Sequence, residues 1–354
     1  MNLPTLLHSY SLRVETTDNL PLDTIRPVLF GLFGEVGSVL ATSKKRVREK
    51  ALFPQYEQSL VEEFGDALWY FAALCRRTRF GIESVAAGFG EPDREPSTSS
   101  ADDTAALAAL ATTAGELLSI QDGESASAAS LQCFLGSFLA AVRATGVELG
   151  EIARRNEDKV RGRFLRTAPA DLPDFDSSFP EDEQLPRRFE IAILRRGRQA
   201  RLRWNGVFIG DTLTDNVQDP DHYRFHDVFH LAHAAILHWS PVVRALIRQK
   251  RKSVQSVDEN EDGGRAIVVE EGVTAWIFAQ AKQASYFEGC ERVSFGLLKT
   301  VHEFVQEFEV AQCPLELWER AILQGYSVFR DVRASDGGIV MGNRDDRTIA
   351  FRGH

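Results

Sequence analysis

Two stretches, GLFGEVGSVLATSKK (31–45) and VEEFGDALWYFAAL (61–74), decide how the first half of this chain folds. Around the first, Ile25, Leu29, Leu32, Val36, Val39 and Leu40 recur at helical spacing, and Pro27 is acceptable only in a first turn, so a helix is expected over 24–51. The second belongs to a strong helix over 57–77 that ends near TRFG. The connection between them is short enough for antiparallel packing. Glu63 and Asp66 stand at i and i+3, so their carboxylates leave one helix face. Glu35 lies on the preceding helix, and three residues beyond it, where a further carboxylate would belong, stands Ser38.

Carboxylates meeting between two helices repel one another and lose hydration unless a cation neutralises them. With oxygen donors only, the natural occupant is a hard divalent ion, Mg2+ or Mn2+. Acids at i and i+3 are more often a solvated helix face. Here Phe64, Leu68, Trp69 and Phe71 surround them, which argues against all of them facing bulk water.

With EIARRNEDKVRGRF (151–164), these stretches resemble the MazG-like nucleoside triphosphate pyrophosphohydrolases of the all-α NTP pyrophosphatase superfamily. Their signature is Glu-x-x-Glu on one helix and Glu-x-x-Asp on the next, followed by a closing helix with Asn-x-x-Lys and an arginine. The resemblance covers roughly 1–164. It implies catalytic carboxylates that are also Mg2+ (or Mn2+) ligands at Glu35, Glu63 and Asp66, and nucleotide contacts from Asn156, Lys159 and Arg163. Lys44 and Lys45 fall where the family often has basic residues, and Trp69 is either a platform for a base or core. Ser38 replaces the second glutamate, which removes one charge from the metal's shell while water can fill the vacancy. The activity implied is hydrolysis of a nucleoside triphosphate to the monophosphate and pyrophosphate, by a homo-oligomer (dimer or tetramer). The rival is a nucleotide-binding sensor or regulatory protein whose hydrolysis has been lost through Ser38.

Past the first helix pair, GFGEPDREPSTSSADD (88–103) reads as a polar loop. Ala/Leu-rich helices over 104–119 and 126–146 and a last helix over 147–164 complete an all-α bundle, domain 1–164. The acidic, Pro-rich 165–186 reads as a linker. From 187 to 354 an α+β domain is expected. Alternating segments with turns at RRGR and NG give a small antiparallel sheet of two or three strands, helices run to about 330, and a mostly loop tail follows. The whole is mainly α.

A second constellation sits in this half. HDVFHLAH places His226, His230 and His233 at i, i+4 and i+7, and VVEEG adds Glu270 and Glu271. Two histidines at i,i+4 with a distant glutamate suit a transition ion such as Zn2+, Mn2+ or Fe2+. The HExxH glutamate is absent, and histidines on a half-apolar stripe are more often core or interface residues. A further reading of function places a second metal-dependent activity at His226, His230, Glu270 and Glu271. The basic run RQKRKS (248–253) is a candidate phosphate contact, DENEDGGRA (258–266) an exposed acidic loop. The order of histidine helix, basic run and EEGVTAWIFAQA loosely echoes the first half, as a diverged copy would.

The 354 residues carry a formal charge of −10, which argues against general nucleic-acid or membrane-surface binding. Cys75, Cys133, Cys290 and Cys313 lie far apart without a CxxC pair, so no disulfide framework or zinc knuckle is expected. No secretory signal and no bilayer-spanning apolar run stand out, and a cytoplasmic protein is expected.

Overall fold

The computed structural model describes all residues but 1, 22–23, 90–99, 121–125, 165–167, 169–170 and 354, and only the backbone at 100–102 and 163–164. It divides into two compact units, Met1–Leu165 and Arg166–His354.

The first unit is built on helix α2 (Arg26–Glu49) and helix α3 (Tyr56–Thr78), joined by residues 50–55. Val28, Leu29, Leu32, Val36 and Val39 form the buried stripe of α2, while Leu60, Phe64, Leu68 and Phe71 are buried on α3. Contacts step in opposite directions along the two helices. Gly31 adjoins Tyr70, Glu35 meets Glu63 and Asp66, and the Arg46 guanidinium lies 4.3 Å from the Tyr56 ring centroid. The pair is therefore antiparallel. A Cβ on Gly31 would come within 2.1 Å of the Tyr70 ring, so this glycine permits the close approach.

Among the described residues, five further α-helices complete the bundle. Helix α1 (Leu3–Val14), unforeseen from the sequence, carries an Asn2 side-chain cap on Thr5 N at 3.0 Å and a proline in its first turn. A short helix α4 (Ile82–Ala86) precedes α5 (Ser100–Leu118) and α6 (Ala128–Thr145), so the loop expected over 88–103 is already helical from Ser100, and its residues 90–99 lie outside the described set. Phe134 and Phe138 of α6 pack against Phe71 and Phe64 at 5.0 and 5.5 Å between centroids. By length and composition α6 could cross a membrane (18 residues, mean hydropathy 1.2), contrary to the expectation that no such stretch exists. Its buried aromatics here form bundle core. Helix α7 (Leu149–Phe164) packs on α1 and α3.

The second unit holds a five-stranded antiparallel sheet of order β3-β2-β1-β4-β5, larger than the two or three strands expected. Strands β1 (Arg188–Arg196), β2 (Gln199–Trp204) and β3 (Val207–Leu213) are successive hairpins. Between β2 and β3, Asn205 and Gly206 both take positive φ (47° and 81°), as a type I′ turn requires. The tail, expected to be mostly loop, supplies β4 (Gly338–Asn343) and β5 (Thr348–Arg352), and β4 pairs with β1. Phe189, Ile191 and Ile193 turn one face of β1 to the core.

Between β3 and β4 come α8 (Asp227–Ala232), a π-helical turn over His233–Leu237, α9 (Pro241–Ile247), α10 (Gln255–Asn260), α11 (Gly264–Gln283), α12 (Phe295–Val305) and α13 (Leu315–Ser335). The six-residue α8 is nothing like the long α2, so the echo between the two halves does not extend to structure. Nor are 171–186 a free linker. Asp176, 1% exposed, accepts hydrogen bonds from Leu185 N, Arg244 and Arg344, each at 2.7 Å. The basic run and the acidic loop that follows it are likewise structural, because buried Arg251 is clasped by buried Asp262.

Candidate functional site

In the first unit Glu35, Glu63 and Asp66 each bring a carboxylate oxygen within 4.8 Å of the others. All three are half-buried. The i,i+3 pair comes from α3 and Glu35 from the facing stretch of α2. Asp66 is held from α7: Asn156 Nδ2 donates to Oδ1 at 2.9 Å and Lys159 Nζ to Oδ2 at 2.6 Å. Asn156 is itself 3% exposed and accepts from the Tyr10 hydroxyl of α1 at 2.6 Å. Gly65 makes room for it, since a Cβ there would stand 2.8 Å from the Asn156 Cβ. Lys159 also donates to Glu62 at 3.0 Å.

The local potential is negative. Burial, then the Asp66 and Glu63 charges, push the Glu35 carboxyl up to about 7, although Lys159 pulls the other way. A site that resists one more negative charge is a site that welcomes a cation, and three oxygen donors fit a hard divalent ion. Ser38, half-buried, lies one turn beyond Glu35 on α2.

Other residues named from the sequence fall elsewhere. Lys44 and Lys45 lie about 13–15 Å farther along α2 than Glu35; Lys44 is exposed, and Lys45 sits over the Phe53 ring and 3.8 Å from Glu49. They do not reach the carboxylates. Trp69 is no base platform: it is buried, donates its indole N–H to Thr17 at 2.9 Å and packs edge-on against Tyr70. Arg163 has its side chain outside the described residues. Tyr10 and Glu62 were not foreseen as parts of this site; Asn2 and Pro4 were the signal for the helix that brings in Tyr10.

In the second unit the histidines and glutamates do meet, with altered roles. Glu270 is fully buried and its oxygens accept from His230 Nδ1 and His233 Nδ1 (both 3.0 Å), Ser240 Oγ (2.8 Å) and Val242 N (2.9 Å). Four donors converge on it, which suits a carboxylate that orients the imidazoles, while one of its oxygens also lies within 4.8 Å of a nitrogen of His230 and of His233. Burial alone would raise its pKa, but the His230 charge and the two imidazole hydrogen bonds hold it down at about 2. A carboxylate can only accept, so both imidazoles carry their proton on Nδ1. Burial drives His233 below its ordinary value. Beside it, His226 gives Nδ1 to the Tyr223 carbonyl at 2.9 Å and stacks on the Tyr223 ring at 4.4 Å. Its Nε2 faces Glu271 Oε2 at 3.6 Å and Asp227 Oδ1 at 3.9 Å.

A cavity of about 820 Å³ in the same unit is lined by Asp174, His238, Arg320 and Arg344 among others. Arg344 is paired with Asp174 and Asp176, and Arg320 with Glu316, so these cations are committed to the chain's own acids.

The architecture and these clusters define a mainly α, two-unit chain carrying side-chain sets suited to divalent cations. Residues 170–354 match the family model described as the MazG C-terminal domain, and the chain belongs to that family. At the level of the family this points to nucleotide pyrophosphohydrolase-like activity. The match falls on the half that the sequence reading left without a family, and not on 1–164, where the resemblance was noted. No curated protein and no solved structure matches the chain.

Proposed function

We propose that the chain hydrolyses a nucleoside triphosphate to the monophosphate and pyrophosphate, with the divalent ion held by Glu35, Glu63 and Asp66. The observation that carries this is the convergence of those three carboxylates from facing turns of α2 and α3. A bound Mg2+ would align the phosphates and offset charge developing on them. The chain's own part is positional: Tyr10 fixes Asn156, Asn156 and Lys159 fix Asp66, and the Lys159 ammonium stands beside the carboxylates where a phosphate would be met. Product analysis over a nucleotide panel with Mg2+, Mn2+ and no metal tests the reading; turnover that ignores the metal, or no pyrophosphate from any nucleotide, refutes it. In the second case the sensor reading stands.

The pH dependence has a defined sign. The Glu35 value in the folded protein, about 7, lies above its ordinary 4.5. Its contribution to stability is therefore fully present below about 4.5 and is lost as pH rises through about 7. A divalent ion must displace that proton. Mg2+ binding at pH 6 is expected to release close to one proton per chain, and apparent affinity to rise with pH and level off above about 7. Calorimetry in two buffers of different ionisation enthalpy measures the release, and Glu35→Gln should remove it. Equal release in that variant would place the titrating group elsewhere.

Ser38→Glu is expected to tighten divalent-ion binding several-fold without loss of fold, because a half-buried position at i+3 from Glu35 gains a carboxylate. Unchanged or weaker affinity by titration would mean that Ser38 does not face the ion.

A further inference from the structure

We propose a second, separate metal site in the C-terminal unit, in which His226 Nε2, His230 Nε2, Asp227 and Glu271 hold a divalent transition ion of the Zn2+, Mn2+, Fe2+ or Co2+ class, with Glu270 positioning the ligands.

Three observations carry it. His226, Asp227 and His230 each present a donor atom within 4.8 Å of the others, and Glu271 Oε2 lies 3.6 and 3.4 Å from the two imidazole Nε2 atoms. His230 is entirely buried, yet its Nε2 makes no hydrogen bond and faces only the Glu271 carboxylate, at 3.4 Å. A buried nitrogen and a carboxylate oxygen held at that distance without a hydrogen bond are costly unless a cation lies against both. Finally, both imidazoles are fixed through their other nitrogen, His226 by the Tyr223 carbonyl and His230 by Glu270. Hydrogen bonding of Nδ1–H to a carbonyl or carboxylate is how metal-binding histidines are held in the right tautomer, with the Nε2 lone pair free for the ion.

The fold supplies the geometry. His226 immediately precedes α8, where the chain turns from a short helical turn at Tyr223–Phe225, and this lets neighbouring His226 and Asp227 address the same point. A π-helical turn begins at His233, three residues after His230, a feature often found at functional positions. Two imidazole nitrogens with carboxylate oxygens favour borderline ions over Mg2+. The Glu271 side chain is 41% exposed, so the site opens to solvent on that side and has an entry path.

The alternative is a proton: His230 as a buried imidazolium between Glu270 and Glu271. The experiment separates the two and is independent of the pyrophosphohydrolase reading. The full chain, stripped with chelator, is titrated with Co2+ in a Glu35→Gln background, so that the first site contributes little. Ligand-field absorption in the visible, at about one ion per chain, is expected. His226→Ala and Glu271→Ala should abolish it or weaken binding by at least about 100-fold, and Glu270→Gln by about 10–100-fold. Glu271 is chosen because its exposure makes a folded variant certain enough to test by circular dichroism even if Glu270→Gln misfolds. No Co2+ uptake, or uptake that the folded Glu271→Ala and His226→Ala proteins retain unchanged, overturns the site and leaves the buried ion pair.

Discussion

Glu63→Gln and Asp66→Asn are each expected to cut Mg2+-dependent pyrophosphate release by about 10²–10³-fold, with the fold intact. Each change keeps side-chain size and removes one negative charge from a cluster whose oxygens lie within 4.8 Å of one another. Asp66 is half-buried and already holds hydrogen bonds from Asn156 and Lys159; the amide can keep the shape of that arrangement but not the charge that orients the ammonium. Loss should therefore appear both in Mg2+ affinity, by calorimetry, and in turnover at saturating metal. Lys159→Met is the useful companion. If Lys159 only shields Asp66 and Glu62, the variant binds Mg2+ more tightly; if it meets phosphate, KM for the nucleotide rises. Near-normal turnover in both carboxylate variants would remove this cluster from the mechanism.

What could be read from the sequence follows from how local each signal is. The α2–α3 pair was legible because its stripe repeats at helical spacing and its acids stand at i and i+3, so one helix at a time suffices. The tail strands were not. Gly338 and Gly342 make GIVMGN look like loop, and the partner of β4 is β1, some 150 residues earlier. Gly342 is there because the Phe189 ring covers it: a Cβ would lie 2.0 Å from that ring. No local pattern announces such a contact. At the histidine cluster, helix spacing led to His226 and His230 and did not point to their neighbour Asp227, because residues adjacent in sequence rarely share a helix face. That rule fails at His226, which stands just outside α8. Spacing also could not rank Glu270 against Glu271. Burial does so, by surrounding one with four donors and leaving the other open. Asn156 and Lys159 were found by motif, but their role as holders of Asp66 depends on the packing of α7 against α3.

Arg251→Met should destabilise the C-terminal unit by about 3–5 kcal/mol at pH 7, the largest stability effect expected of a single change here. Arg251 is 1% exposed. Its Nη2 donates to Asp262 at 2.7 Å and to Glu309 at 2.6 Å, and its Nη1 to the Phe175 carbonyl at 2.8 Å. It thus joins the segment before β1, the turn before α11 and the turn after α12. Methionine fills much the same volume, so the cost is not a cavity. It is the fully buried Asp262 carboxylate left without its guanidinium, with only the Arg251 backbone N–H at 2.8 Å and Arg244 Nε at 3.6 Å beside it. Arg251→Lys keeps a charge but cannot serve both acids in a planar fork, and should fall between wild type and Arg251→Met. A second substitution identifies the cause. Adding Asp262→Asn to Arg251→Met removes the stranded charge and should recover most of the lost stability, measured by urea unfolding at pH 7. No recovery would mean that lost packing, rather than stranded charge, sets the cost.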